Sequence, residues 1–485
     1  MSVCSAYGLK KKIHTCIMAY EIDSIRNLGG VVLKNNKYEI DMCNGTIMDK
    51  LVSFSLPLML SGILQLMFNA VDIIVVGQFT GSEALAAVGS TTALIAVFTN
   101  LFIGISLGAN VLAARFYASG KNKEMSETVH TSIALAFVSG MIMAVVGLLF
   151  SRLALEIMGT PDNVIDQSTL YMRIYFLGMP FFMLYNYGAA ILRAVGDTKR
   201  PLIFLIISGL ANAGLNMLLV VVFNMGVAGV AIGTIVSQCI SCILVLRCLY
   251  RSEGSYQLRF SKLTIKSFYL KQIFQVGIPA GIQSTVINLS NALLQSSVNS
   301  FGSIAMAGYT AANNIFGFLY VSVNSVTQSC MSFTSQNYGV RKTKRMDKVL
   351  LDCIILSFTF SFTLGCGAYF FGNELLRLYT SDPDVIQCGI EILAYTTVPY
   401  FCCGIMDLIP GALRGMGHSG VPMILSIIGT VGTRIVWIFG LFPHNRSLSF
   451  LFISYPVSWI LTILMQVICF YFVRRKVHRN ILTQG

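Results

Sequence analysis

LPLMLSGILQLMFNAVDIIVVG, residues 56–77, is an apolar run of 22 residues that carries a single charge, Asp72. At about 1.5 Å per residue a helix of that length reaches roughly 33 Å, enough to cross the ~30 Å hydrocarbon core of a bilayer. An ionised carboxylate inside it costs roughly 2.5–3.5 kcal/mol on insertion scales, so such a side chain is expected to face a bundle interior or wet cavity and hold an ion or proton there. Asp72 also lies close to the end of the run, where a structural anchor at the membrane interface is the plainer reading.

The rest of the chain follows the same pattern. Of its 485 residues 55% are hydrophobic and 11% charged, with a mean hydropathy of +0.71, whereas soluble domains carry about 25% charged residues. Apolar segments of spanning length recur at 52–77, 88–114, 128–150, 166–192, 201–223, 228–250, 271–300, 309–336, 348–371, 386–412, 422–442 and 449–473. The fold class expected is therefore an all-α membrane protein with twelve transmembrane helices, whose first partner is the lipid bilayer.

A net charge of +13 does not imply nucleic acid, because the basic residues are sorted by loop. Of 34 Lys and Arg, 29 lie before the first span, in every second loop, or after the last span. Three, Arg152, Arg377 and Arg446, lie in the loops between, and Arg173 and Arg434 fall within spans. The positive-inside rule then puts both termini in the cytoplasm of a multi-pass protein of the plasma membrane. The 13 cysteines are odd in number and scattered through apolar spans, which speaks against a disulfide framework or zinc site.

The chain is also written twice. A shift of 222 lays Pro57 on Pro279, Asn69 on Asn291 and Phe79 on Phe301. After one residue is dropped, a shift of 221 lays Tyr117 on Tyr338, Lys121 on Lys342, Lys123 on Lys344 and Met125 on Met346, and LRAVGDTKRP (192–201) on LRGMGHSGVP (413–422). Six spans per copy make the repeat parallel, with both halves entering the membrane from the same side, as in transporters whose bundles rock about a central site. The expected division is a polar, disordered tail at 1–41, an N-lobe at 42–250, a cytoplasmic linker at 251–270, a C-lobe at 271–476 and a tail at 477–485. Pro57 and Pro279 near the start of equivalent spans, and the glycines Gly104, Gly108, Gly226, Gly229 and Gly233, suit bending and close packing of membrane helices.

VDIIVVGQ (71–78), ILRAVGDTKRP (191–201), GVAGVAIGT (226–234) and ALRGMGHSGVP (412–422), in this order and in duplicate, resemble the multidrug and toxic compound extrusion (MATE) family over residues 42–476. The resemblance implies an antiporter coupled to H⁺ or Na⁺ that exports organic, often cationic and amphipathic compounds through a cleft between two lobes. It implies no cofactor beyond the coupling ion, small organic molecules as substrates, and a protein working as a monomer. Asp72, Asn212, Asn216 and Thr234 match the family's N-lobe cation site. Asn212 and Asn216, four residues apart, share a helix face, and one carboxylate, two amides and a hydroxyl can coordinate Na⁺ or serve either protonation state of the acid. Several relatives carry a second acid where this chain has Asn216. The stretch STVINLSNALLQ (284–295) lacks the acid of the NorM-like branch, which places the chain nearer the DinF-like branch and leaves no C-lobe sodium site of the NorM type.

In the C-lobe, Asp407 and Arg434 are the charged candidates. They are expected to pair with each other inside the lobe, since uncompensated charge is costly there, with a part in substrate or cation binding as the alternative. Met67, Phe68, Met179, Phe181, Phe182, Tyr185 and Tyr187 offer either ordinary packing or an adaptable substrate wall. A lipid-linked oligosaccharide flippase of the same superfamily is the nearest rival function. An embedded enzyme is not expected: the five His are at unrelated spacing, and no HExxH, GxSxG or P-loop pattern occurs.

Overall fold

The computed structural model describes residues 38–483, so most of the tail expected at 1–41 lies outside the described residues. Within them the chain forms twelve helical rods and no strand. They are α1 (Met48–Phe79), α2 (Ser82–Ala118), α3 (Asn122–Ile157), α4 (Asp162–Leu177 with Met179–Ala194), α5 (Lys199–Asn216, continued by a π turn Met217–Val222) and α6 (Gly226–Arg251). The second copy gives α7 (Ser267–Asn299), α8 (Ser303–Gly339), α9 (Thr343–Phe370), α10 (Pro383–Thr396 with Tyr400–Gly415), α11 (Gly420–Ser426, π turn Ile427–Gly432, Thr433–Val436 and π turn Trp437–Leu441) and α12 (Leu448–Thr483).

Ten of the rods, with each bent pair taken as one, are long and apolar enough to cross a membrane unaided. The other two, α7 and α8, are 33 and 37 residues long. Their faces carry Gln283, Asn288, Asn291, Asn324 and Gln328, which lowers their hydropathy, and two of these amides accept from C-lobe guanidiniums, Gln283 from Arg414 and Asn291 from Arg434.

The duplicated sequence yields duplicated backbone. α4 and α10 are each bent by 47°, at Gly178 and Pro399, which are 221 residues apart. The turns before α2 and α8 use Gly81 (φ +100°) and Gly302 (φ +95°), and those before α5 and α11 use Gly196 (φ +99°) and Gly417 (φ +86°). Before α3 the left-handed residue is Gly120 (φ +67°); its copy is Arg341, held at φ +60° although a side chain disfavours that region.

The lobes do not divide at the linker as cleanly as the expected boundaries imply. Leu51, Phe54 and Leu58 of α1 pack into a core with Val326, Cys330, Phe333, Leu350 and Leu408 of the C-lobe, while Val75 and Val76 of the same helix lie in the N-lobe core. α7 mirrors it: Tyr269 and Ile273 belong to the N-lobe core, Leu294 and Val298 to the C-lobe core. Each helix thus starts in one lobe and ends in the other, and crosses near Pro57 or Pro279, where a missing backbone donor weakens the ladder.

The seam between lobes is closely packed toward the face that carries the basic loops. There Gly104 and Gly108 of α2 meet Gly277 and Gly281 of α7, backbone against backbone: a Cβ on Gly281 would stand 2.5 Å from the Leu101 carbonyl oxygen, and one on Gly277 would collide with Ile105 Cα. Small residues permit this approach, which supplies dispersion contact where lipid offers no hydrophobic drive. Ser332 Oγ donates to Asn110 Oδ1 (3.1 Å), Ser335 Oγ to the Val111 carbonyl (2.6 Å) and Gln336 Nε2 to the Ala194 carbonyl (2.7 Å) in the same half. Toward the opposite face Met67, Ile73 and Ile74 of α1 and Leu289 of α7 are exposed. The inter-lobe glycine contacts and hydrogen bonds thus gather on the side of the basic loops.

Candidate ion site

Asp72 sits seven residues before the end of α1, about 10 Å from its tip, in the part of that helix held by the N-lobe. The structure brings all four residues singled out in that lobe together. Asn216 Nδ2 donates to Asp72 Oδ1 and, at 3.3 Å, to Asn212 Oδ1. Asn212 Nδ2 in turn reaches Thr234 Oγ1 at 3.5 Å, and that hydroxyl donates to the Val230 carbonyl at 3.0 Å. Asp72 is half-buried, whereas Asn212 and Asn216 are buried.

Local backbone explains the convergence. Asn212 and Asn216 lie one turn apart on α5, whose α-helical ladder gives way to the π turn directly after Asn216; such turns alter register and favour functional positions. On α6, Gly229 and Gly233 leave a bare backbone strip. A Cβ at Gly233 would strike Asn216 Oδ1, so only glycine allows α5 to dock there with its amide in place. Asn216 Oδ1 is buried and has no hydrogen-bond partner. An orphaned acceptor next to a carboxylate and a hydroxyl is a set of hard oxygen donors, the chemistry that a small cation or a shared proton uses.

Three neighbours that the sequence did not single out complete the surroundings. Tyr171 and Tyr175 of α4 stack with ring centroids 6.2 Å apart, both within electrostatic range of Asp72, and Tyr175 hydrogen-bonds Gln238 of α6. Their spacing of four residues on an apolar helix resembles any packing pair, so no local signal marked them.

The expected C-lobe pair does not form. No ion pair joins Asp407 and Arg434 among the described residues. Arg434 is buried, donates from Nη1 to Asn291 Oδ1 (2.8 Å) and lies 4.3 Å from the centroid of the Tyr455 ring. The π turn Ile427–Gly432 precedes Arg434 and shifts its register relative to an unbroken α-helix, toward α7 and α12 and away from α10. Asp407 is half-buried and shares its surroundings with Tyr320 of α8 and with Arg414, two turns along its own helix. Arg414 Nη2 donates to Gln283 Oε1 at 2.7 Å.

Of the proposed substrate wall, Met179, Tyr185 and Tyr187 are buried in the N-lobe core and serve packing. Met67 is exposed, and Phe68, Phe181 and Phe182 are half-buried. Arg173 is exposed on α4, as a snorkelling residue would be.

With this geometry in hand, the chain can be set beside known proteins. The MatE family model matches residues 57–218 and again 279–439; the two matches start 222 residues apart and end 221 apart, the shifts that relate the two copies in sequence. The chain is 29% identical over 436 residues to the probable multidrug resistance protein YoeA of Bacillus subtilis (strain 168), covering 87% of this chain and 93% of that protein. It is 26% identical over 398 residues to the probable multidrug resistance protein NorM of Thermotoga maritima, covering 80% and 84%. Multidrug export protein MepA of Staphylococcus aureus (strain MSSA476) is 23% identical over 384 residues, covering 78% and 84%. Among solved structures, one described as the outward-facing conformation of a multidrug resistance MATE family transporter of the MOP superfamily superimposes with a TM-score of 0.84 at 19% identity, covering 92% of this chain and all of that one.

Proposed function

Because the chain belongs to the MatE family, we propose that it is a multidrug efflux antiporter of the plasma membrane, driven by H⁺ or Na⁺, that exports organic, often cationic and amphipathic compounds. Both termini and the basic face are cytoplasmic in this reading, so the closely packed side of the seam faces the cytoplasm and the cleft between the lobes opens outward. The observation that carries the proposal is the assembly of Asp72, Asn212, Asn216 and Thr234 around one acid on the outward-facing side of the N-lobe. The names of the relatives, multidrug resistance and multidrug export proteins, support the substrate class.

The chemistry follows from the geometry. With the cleft open outward, a proton or Na⁺ reaches Asp72 and neutralises it. Cargo whose positive charge was balanced by that carboxylate is then released. The neutral site, relieved of a desolvated charge, tolerates closure of the cleft. On the cytoplasmic side the ion leaves, and cargo takes its place. One site that holds either ion or cargo is sufficient for exchange, since a coupling of 1–3 kcal/mol between the two ligands is the ordinary scale of such linkage.

Dye-loaded proteoliposomes with imposed pH or Na⁺ gradients test this directly. Asp72→Asn is expected to insert and fold while losing gradient-driven efflux. Undiminished coupled transport by that variant would remove Asp72 from the mechanism, and comparing the two gradients identifies the ion.

A further inference from the structure

Residues 38–45 run across the closed cytoplasmic face and are fastened to both lobes at once. On the N-lobe side, the Glu39 carboxylate accepts hydrogen bonds from the hydroxyls of Tyr117 (2.7 Å) and Tyr256 (2.5 Å). Ile40 N–H donates to the Gly196 carbonyl at 3.3 Å. Gly196 is the floor on which the segment rests: its φ is +99°, and a Cβ there would stand 2.6 Å from the Ile40 carbonyl oxygen.

On the C-lobe side the grip is different in kind. Asn337 Nδ2 and Arg345 Nε donate to the Met42 carbonyl at 3.1 and 3.2 Å. Lys342 Nζ donates to the Cys43 carbonyl at 2.9 Å, and the Arg345 guanidinium to the carbonyls of Asn44 (3.0 Å) and Gly45 (2.8 Å). The Met42 side chain is fully buried in the core that α1 shares with the C-lobe.

The two attachments are unequal. Five charged or amide donors on backbone carbonyls, together with a buried methionine, tie the segment to the C-lobe. The N-lobe attachment is one backbone bond, one carboxylate between two phenols, and the Tyr38 ring with the Arg200 guanidinium 5.6 Å from its centroid. Tyr256 belongs to the linker between the lobes, whose next residues are themselves docked on α3 through Arg259 N–H to His130 Nε2 (3.0 Å) and Lys266 to Glu127 (2.6 Å). Separation of the lobes on this face must break the weaker attachment, in which Glu39 makes both side-chain hydrogen bonds.

We propose that residues 38–45 form a releasable latch on the cytoplasmic gate. Glu39 is its N-lobe hook, a positioning residue that holds the lobes together while the cleft faces outward and lets go before it faces inward. The latch rests on the alternating-access reading above, and its test is read from lobe separation rather than from transport. Lys123 and Lys344 are equivalent in the two copies and both exposed, one on each lobe. In a background without native cysteines, spin labels at Lys123→Cys and Lys344→Cys report the gap by pulsed electron–electron resonance in proteoliposomes.

Glu39→Ala is expected to transfer population from the short distance to the long one, raising their ratio about tenfold, since a charged hydrogen-bonded group is lost. Tyr117→Phe and Tyr256→Phe each remove one hydroxyl and are expected to shift the ratio less, in the same direction. They keep the test available if the alanine variant folds poorly. A change that merely loosened the fold would broaden both distances without exchange between them, and that outcome overturns the latch. So does a Glu39→Ala distribution equal to that of the parent while the parent still opens. Lobes that never part on this face, under any gradient, would overturn the latch and alternating access together.

Discussion

Gly233→Ala adds one methyl group to the protein, and its consequence can be worked from the ion site outward. The new Cβ falls well inside contact distance of Asn216 Oδ1. A long, flexible side chain would step aside, but Asn216 is short, buried and fixed by two bonds from its Nδ2, to Asp72 and Asn212. The amide must rotate, which loses a bond to a carboxylate and one to a neutral amide. At roughly 1.5–3 and 0.5–1.5 kcal/mol respectively, the organised site is raised by about 2–4 kcal/mol, a thirtyfold to thousandfold loss in the affinity that depends on it. Helix propensity works the other way: alanine is favoured over glycine in a helix interior by about 1 kcal/mol. The net effect is a loss of about 1 kcal/mol or more, so the variant is expected to unfold in detergent at a somewhat lower temperature and to need a much steeper ion gradient for half-maximal dye efflux. The ion dependence of efflux in proteoliposomes checks this, with Gly214→Ala as control, since a Cβ there meets nothing within 4 Å. Gly233→Ala with an unaltered ion dependence would show that Asn216 does not organise the site.

Gly277→Ala forces the seam between α2 and α7 apart, because its Cβ meets the Ile105 backbone rather than a movable side chain; the Lys123–Lys344 label distance is expected to lengthen, whereas Gly367→Ala, in open space, leaves it unchanged. Arg434→Met removes a buried charge that has no carboxylate partner and keeps most of its volume, so thermal stability is expected to hold within about 1 kcal/mol, while Arg434→Ala leaves a cavity and loses about 2 kcal/mol or more. Asp407→Asn combined with Arg434→Met is expected to be additive within about 0.5 kcal/mol, as for residues without shared partners; a larger coupling in a thermal-unfolding cycle would restore the pair. Burial, with the nearby Lys476 and Arg115 cations, holds the His418 imidazole below its ordinary value of 6.5. The folded chain thus resists a proton that the unfolded chain accepts, and stability is lost as pH falls below about 6.5; unfolding temperatures of His418→Gln are expected to fall less over that range.

What the sequence made legible were the properties written in local composition. Apolar length and the sorting of Lys and Arg depend on each segment alone, so the rods, their count and the parallel repeat could be read directly, down to the dropped residue between shifts of 222 and 221. Asn212 and Asn216 share a face by helix period, and the family resemblance placed Asp72 and Thr234 beside them. Other features depend on tertiary contact. That α1 and α7 change lobes midway leaves no mark where residues are apolar on every side. Arg434 turned toward Asn291 and Tyr455 because π turns displaced its register, and hydropathy carries no information on those. Residues 38–41 read as part of a polar tail because the C-lobe grips the adjoining segment largely by its carbonyls, which every sequence has, and the few specific side chains, Tyr38, Glu39 and Met42, find their partners only in the tertiary fold.

The two copies also show how a symmetric scaffold comes to act asymmetrically. A shift of 222 lays Asn291 on Asn69, and the later shift of 221 lays Arg434 on Ala213 and Tyr455 on Thr234. The region of the C-lobe equivalent to the ion site thus contains a guanidinium held by an amide and an aromatic face, where the N-lobe has Asp72 held by Asn216. In the N-lobe the charged candidate is a carboxylate, and in the proposed cycle its countercharge arrives from solution, so that the state of the lobe follows occupancy. In the C-lobe the charge is positive, permanent at any accessible pH, and met by a neutral amide and an aromatic face. An arginine, charged at any accessible pH, fits a lobe that stays fixed; an acid in an apolar helix fits one that switches. In the proposed cycle a single acid is enough for coupling, and the lack of a carboxylate in 284–295 fits a division of labour between the halves.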